Sequence, residues 1–393
     1  MNGPLRSTSA HLLLPAIAPR AMIMKAVRPS NHANVPLRQS KQQGTIEPHI
    51  PIDVRLVALR DLLPLHSISE RFALDMPFGD MVDDDPMRVG LRQIVPFMRH
   101  DHPMVVARTD RRLLGYASFQ VVGPDQRWLL CAVGSNMGIF EADPLWEELL
   151  RGAIVTAGLD GTKRLFARLP SGCPVLPAAR RIGFTPYVSE TVWASALVPI
   201  AQWSRRRGVR RQTQSDVWSI HQLYMVAVPR QVQYAEAITS HSWDLAAQSL
   251  PGGARVAGWL VEADQQVAAY ARVLSYPSAH AIEVLVLPEQ REVFRQLLSA
   301  VFSELGQLPA RRVYLTLRGY QAELCPVLEE FGMSVHLEQD VHIKYTTATT
   351  AAATSNVNLS PFSADVKEPS AKRVPTFIKK ANPDPSSDGV GMQ

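Results

Sequence analysis

The sequence predicts an α/β protein built from two copies of one unit, and three observations carry that prediction. The chain repeats itself: RLFARLPSGCPVLPAARRIGF (Arg164–Phe184) aligns with RVYLTLRGYQAELCPVLEEFGM (Arg312–Met333), with Pro177 over Pro326 and Gly183 over Gly332 at a separation of 149. Upstream, Val106–Phe119 aligns with Leu260–Val273, with Asp110 over Asp264 and Tyr116 over Tyr270 at a separation of 154. The second observation is a change of period within Ala281–Phe302. Ile282, Val284 and Val286 alternate with Glu283, Leu285 and Leu287 up to Pro288, as in a buried strand; Phe294, Leu297, Leu298, Val301, Phe302 and Leu305 then put one apolar face on a helix. Third, the same order of elements can be read in both copies.

Each copy opens with a short strand and a helix. These are Asp53–Val57 and a helix holding Leu62, Leu65 and Ile68, then Gly208–Gln212 and a helix holding Val217, Ile220 and Leu223. A long variable region follows, then a hairpin turning at Thr109–Arg112 or Ala263–Gln266. Next come a strand and a helix, Trp128–Val133 with Pro144–Ala157, or Ala281–Leu287 with Arg291–Leu305. Another strand (Leu165–Leu169; Val313–Leu317), a helix stopped by Gly183 or Gly332, and a final strand complete the unit. In the last strand of copy two, Val335, Leu337, Val341 and Ile343 are expected inward, with His336, Glu338, Asp340 and His342 on the wet face.

Composition sets the class. With 46% apolar and 20% charged residues, 393 residues can bury ordinary cores for two or three domains. Cys131, Cys173 and Cys325 lie far apart among apolar neighbours, which fits neither a disulfide framework nor a zinc knuckle and points to a reducing, cytoplasmic setting. Much of the net charge of +5 comes from the termini and a linker, so it makes no case for nucleic acid. His11–Ala18 is too short and proline-broken to span a membrane. The chain divides into a disordered basic arm (1–47), a first copy (48–200), a basic linker (201–210), a second copy (211–346) and a disordered tail (347–393). Residues 1–46 hold no Asp or Glu; a transit-like arm, a start at Met22 or Met24, and a plain flexible tail all stay open.

The element order resembles that of the GNAT superfamily of N-acyltransferases over about residues 50–200 and 205–346. The opening Arg211-x-Thr213-x-x-Asp216-x-x-x-Ile220-x-x-Leu223 and the endings Arg181-Ile-Gly-Phe184 and Glu330-Phe-Gly-Met333 resemble its start and end signatures. In that family a strand ending near a Pro runs into a Q/R-x-x-G-x-G/A loop whose backbone N–H groups hold the pyrophosphate of acetyl-CoA. Here Pro288–Phe294 has the Pro and an Arg but no glycine.

The resemblance implies two tandem GNAT-like domains, each a mixed, mostly antiparallel sheet flanked by helices, moving an acyl group from acetyl-CoA or another acyl-CoA to a small-molecule amine or a peptide. It places a catalytic base at Glu283 and a cofactor edge at Leu285, Val286, Leu287, Arg291 and Phe294, with no metal. A strand Glu among apolar neighbours is expected to have its pKa raised toward a useful value; the alternative is a solvated or paired strand Glu. The family's thiolate-protonating Tyr falls on Ala179 and Leu328, and its helix-opening Asn near Gly172 and Gln321. The first copy also has Asp143-Pro144 at its helix start, read as an N-cap with Pro following, which would repel a pyrophosphate and marks that copy as scaffold. A catalytically silent GNAT pair that binds a small molecule or protein in the groove between split strands is the other class. Tandem-GNAT enzymes with other acyl donors, the Fem-type peptidyl transferases and N-myristoyltransferases, are a third.

The remaining motifs have ordinary readings. Asp75, Asp80, Asp83, Asp84 and Asp85 form an acidic loop that could recruit a cation but reads first as solvated surface. His100-Asp101-His102 lacks a third ligand at metal spacing, and Ser204–Arg211 reads as a charged linker. Trp218, Tyr224, Tyr234 and Trp243 are assigned to core or pocket wall.

Overall fold

The apolar stripe of Phe294, Leu297, Leu298, Val301, Phe302 and Leu305 is sealed against a sheet, each residue 2% exposed or less. The structure, a computed structural model, describes residues 52–74, 85–95, 102–110, 112–122, 127–138, 141–200, 208–246 and 254–346. The basic arm, the tail, residues 201–207, His100 and Asp101, and Asp75, Asp80, Asp83 and Asp84 lie outside them. Asp85 caps a helix by accepting a hydrogen bond from the Met87 N–H at 3.1 Å, an ordinary structural use.

Copy one runs β1 (Asp53–Leu56), α1 (Leu62–His66), β2 (Glu70–Ala73), α2 (Pro86–Ile94), β3 (Met104–Arg108), β4 (Leu113–Val122), β5 (Arg127–Ser135), α3 (Asp143–Leu159), β6 (Arg164–Pro170), α4 (Leu176–Arg181) and β7 (Thr185–Ser195). Copy two runs β8 (Val209–Arg211), α5 (Val217–Ala227), α6 (Arg230–Glu236), β9 (Arg255–Ala263), β10 (Gln266–Ser275), β11 (Ala279–Val286), α7 (Arg291–Leu305), β12 (Arg312–Arg318), α8 (Cys325–Glu330) and β13 (Ser334–Tyr345). Both expected hairpins form. At the second, Asp264 and Gln265 have φ of 51° and 63°, the paired left-handed geometry of a two-residue turn matched to strand twist. Gly183 and Gly332 stop their helices with φ of 89° and 72°.

The duplication extends to individual bonds. Arg55 grips Asp61 through two nitrogens at 2.8 and 3.0 Å, and Arg210 grips Asp216 through two at 2.7 Å. Each Asp also accepts from a backbone N–H three residues upstream, that of Ala58 or Thr213. Arg210 and Arg211 therefore belong to β8, and the basic linker ends before them.

For Asp216, the Arg210 hydrogen bonds hold the carboxyl below the usual range; for Asp61, burial pushes upward but the bonds from Arg55 and Ala58 win. A carboxyl depressed in the folded state contributes stability present above its unfolded pKa, about 3.9, and lost as pH falls toward the folded value. The melting temperature should therefore drop between about pH 5 and pH 2, and Asp216→Asn should flatten that slope. An unchanged slope in the variant would contradict the assignment.

All described strands join one sheet, ordered β1-β3-β4-β5-β6-β13-β7-β12-β11-β10-β9-β8, with β2 beside β5. That order contains an exchange. β13 of copy two pairs with β6 of copy one, Val341 opposite Arg168, while β7 of copy one pairs with β12 of copy two, Trp193 opposite Leu315. The two exchanged strands then pair antiparallel, Gln339 opposite Glu190. Each copy's sheet is thus completed by the other copy's last strand.

The exchange corrects the expected wet face of β13. Register shifts at Val335/Leu337 and Val341/His342 break the alternation, and the strand's second half is covered on both faces. His342 is fully buried, with its pKa lowered mainly by burial, whereas Val335 is 49% exposed. Two aromatic assignments also change. Tyr224 and Trp243 are buried, but Trp218 and Tyr234 are exposed.

Candidate functional site

β11 and β12 run parallel and paired from Ala279/Arg312 to Glu283/Thr316, and the pairing ends there. Beyond it the strands part, and α7 starts five residues after β11. Gln321 sits buried in this fork: its side-chain oxygen accepts from the Arg318 N–H at 3.1 Å, and its nitrogen donates to the Val284 carbonyl at 3.2 Å. Copy one forks after Leu130/Ala167. Leu130 faces Ala167 as Ile282 faces Leu315, so Cys131 corresponds to Glu283, and Ser118 corresponds to Arg272 at the repeat separation of 154.

The cofactor edge expected in copy two is only partly available. Val286 and Phe294 are in the core, Leu285 is buried against the helices on the other face, Leu287 is half-buried, and Arg291 is exposed. In place of a glycine, Glu289 adopts φ of 63°, and its N–H donates to the Glu323 carboxylate at 3.0 Å. The protein's own anion thus takes a backbone donor that a pyrophosphate would need. Arg295 is held by Glu292 and Glu330, so Glu289, Glu292, Glu323 and Glu330 surround this helix start against Arg291 and Arg295. Copy one repeats the pattern. Asp143 is the first residue of α3 rather than its cap, and with Glu147 it engages Arg181 at 2.5 and 2.9 Å.

Glu283 does not have the raised pKa expected of it. Burial pushes the carboxyl up, but Arg272, donating to it from Nε at 2.9 Å, outweighs burial and holds it below the usual range. The carboxylate is a paired anion at neutral pH.

Glu283 nevertheless opens onto a cavity of about 170 Å³ where the two copies meet. Its walls carry Arg127, Arg168, Arg272 and Arg318 together with Glu190, Glu236 and Glu283. Arg318 reaches both Glu190 (3.6 Å) and Glu236 (2.5 Å), and Arg168 meets Glu190 at 3.0 Å. Glu236, at the end of α6, also accepts from the hydroxyls of Tyr187 (3.3 Å) and Tyr224 (3.1 Å). Burial raises the pKa values of Tyr187, Tyr224, Tyr270 and Tyr320, so these phenols stay protonated donors. Glu190, on exchanged β7, accepts from the Gln339 side chain on exchanged β13 at 3.2 Å. Those two residues are 149 apart, the offset of the repeat itself. This coincidence, with charges at Arg168, Glu190 and Arg318 inside apolar strands, was the one sequence signal for the cavity.

No protein-family model and no curated protein matches the chain. Among solved structures it is similar to a GCN5-related N-acetyltransferase from Sphaerobacter thermophilus, at 14% identity and a TM-score of 0.47 over 75% of this chain and 96% of that one. It is also similar to a tandem GNAT protein from the clavulanic acid biosynthesis pathway (15%, TM-score 0.44, 76% and 99%) and to a putative acetyltransferase from Pyrococcus horikoshii (12%, TM-score 0.44, 78% and 94%). The fold is GNAT-like and duplicated, as the element order and the forked strands in each copy define it. Among the described residues, no His, Cys, Asp and Glu group could hold a metal ion, and no helix is long and apolar enough to cross a membrane.

Proposed function

We propose that this chain is a GNAT-fold protein that binds a small molecule in the cavity between its copies, with the acyl-CoA edge of the fold closed by its own side chains. The Glu289 N–H held by Glu323, at a helix start ringed by carboxylates, carries this reading. A pyrophosphate brought there meets like charge in place of free donors. Thermal unfolding with saturating acetyl-CoA tests it. A true ligand at about 100 times its Kd adds roughly 2.7 kcal/mol, and no such shift is expected here.

A second reading is favoured by the intact fork beside Glu283. In it, copy two transfers an acyl group from acyl-CoA to an amine, with Glu283 as base and Leu285–Phe294 as the cofactor edge. Stabilisation by acetyl-CoA that weakens in Arg291→Ala would select this reading and reject the first.

A further inference from the structure

The geometry points to a neutral hydroxyl compound as the ligand of the cavity, an O–H carried on an apolar body and held between Glu283 and Thr316. This assignment rests on reading the chain as a small-molecule binder. Its ground is an acceptor left open where the strands fork. Arg272 donates to Glu283 from two nitrogens, and both bonds end on Oε2. Oε1 has no hydrogen-bond partner among the described residues, and the side chain is 33% exposed although β11 lies inside the sheet between β10 and β12. The cavity provides that exposure. Thr316 is paired with Glu283 across the two parallel strands, so both side chains leave the same face, and both line the cavity. The Thr316 hydroxyl is half-buried and likewise makes no hydrogen bond among the described residues.

The pair selects by the direction of the hydrogen bonds. A carboxylate oxygen only accepts, whereas a threonine hydroxyl can donate. A ligand hydroxyl satisfies both at once, giving its proton to Glu283 and accepting from Thr316; an indole N–H offers only the first bond and an ether only the second. Charge then selects a neutral molecule. Arg272 already pairs with Glu283, and Arg168 and Arg318 act on the same carboxylate from farther off. A cation placed at Oε1 would stand among these guanidiniums, and a carboxylate would meet Glu283 itself. The apolar body has its place close by. The Trp243 ring centroid lies 5.9 Å from the Arg272 guanidinium, and Leu129, Phe166, Val228 and Ile238 share the lining.

The test is calorimetric titration of the full chain with 3-phenylpropan-1-ol, its methyl ether, 3-phenylpropylamine and 3-phenylpropanoate. The alcohol should bind, and the ether, which cannot donate, should bind about tenfold more weakly for want of one hydrogen bond to a charged acceptor. The amine and the carboxylate should also fall below the alcohol. Thr316→Val removes the hydroxyl at nearly constant shape and should weaken alcohol and ether alike, by roughly threefold to tenfold. Glu283→Gln should weaken the alcohol alone and bring it down to the ether. If that variant does not fold, the probe series and Thr316→Val still decide. An ether that matches the alcohol, or alcohol affinity unchanged in Thr316→Val, would overturn the hydroxyl assignment. An amine or carboxylate that binds more tightly than the alcohol would overturn the neutral one, and no binding by any probe would overturn both. Failure of the underlying reading registers separately, as stabilisation by acetyl-CoA.

Discussion

Arg318→Ala should cost about 3–5 kcal/mol of stability, because it leaves two buried carboxylates without their shared cation. Glu190 and Glu236 have side chains 1% and 5% exposed, and the Arg318 guanidinium lies between them. Arg168 keeps one hold on Glu190, but Glu236 would lose its ion pair with Arg318 and keep the hydrogen bonds from the Tyr187 and Tyr224 hydroxyls. For a chain of this size the loss corresponds to a melting temperature lower by roughly 6–20 °C. Arg291→Ala, on an exposed first-turn side chain, should stay within about 0.5 kcal/mol and serves as the control. A drop for Arg318→Ala no larger than the control's would show that the network contributes nothing to the folded state.

Ending the chain at Met333 should unfold both copies, not only the one that loses residues. β13 lies between β6 and β7, so its removal opens two strand edges at the centre of the sheet and uncovers the buried side chains beside Val341, His342 and Ile343. A loss on that scale exceeds the roughly 5–15 kcal/mol by which domains are normally stable. Near-UV circular dichroism and gel filtration give the readout, with a chain ending at Thr346 as reference. If the shortened chain kept native near-UV signal from the copy-one tryptophans Trp128 and Trp146, the copies would be independent and the exchange unimportant.

Much of the fold could be read from local pattern. The helical stripe from Phe294 to Leu305, the helix-stopping glycines and both hairpins obey rules that act within about a dozen residues. The exchange of β7 and β13 could not be read that way. Alternation tells a strand to pair and bury a face, but is silent on which copy supplies the neighbour, since the two offer near-equivalent edges. The failed alternation at His342 has the same origin. For the site, the family resemblance led to Glu283 and the fork but not to Arg272, whose proximity reverses the expected pKa. It also led to a cofactor edge at Arg291, which the carboxylates of Glu323 and Glu330, far off in sequence, turn acidic. Arg127, Arg168, Glu190, Glu236 and Arg318 were missed because a charge within a strand acquires meaning only once its opposite is known. The exchange brings those opposites together from both copies.

The traded last strands also bear on how such a protein depends on its own abundance. Two separate chains holding each other's final strand would be stable only while concentrated enough to stay associated. Joined head to tail in one chain, the partner is always present at the high effective concentration that a short connection confers. Dilution then leaves the fold intact, and so does the cavity, which needs walls from both halves. The join also frees the halves from symmetry. One copy can carry Ser118 and Cys131 where the other carries Arg272 and Glu283, a division of labour that a pair of identical chains could never encode.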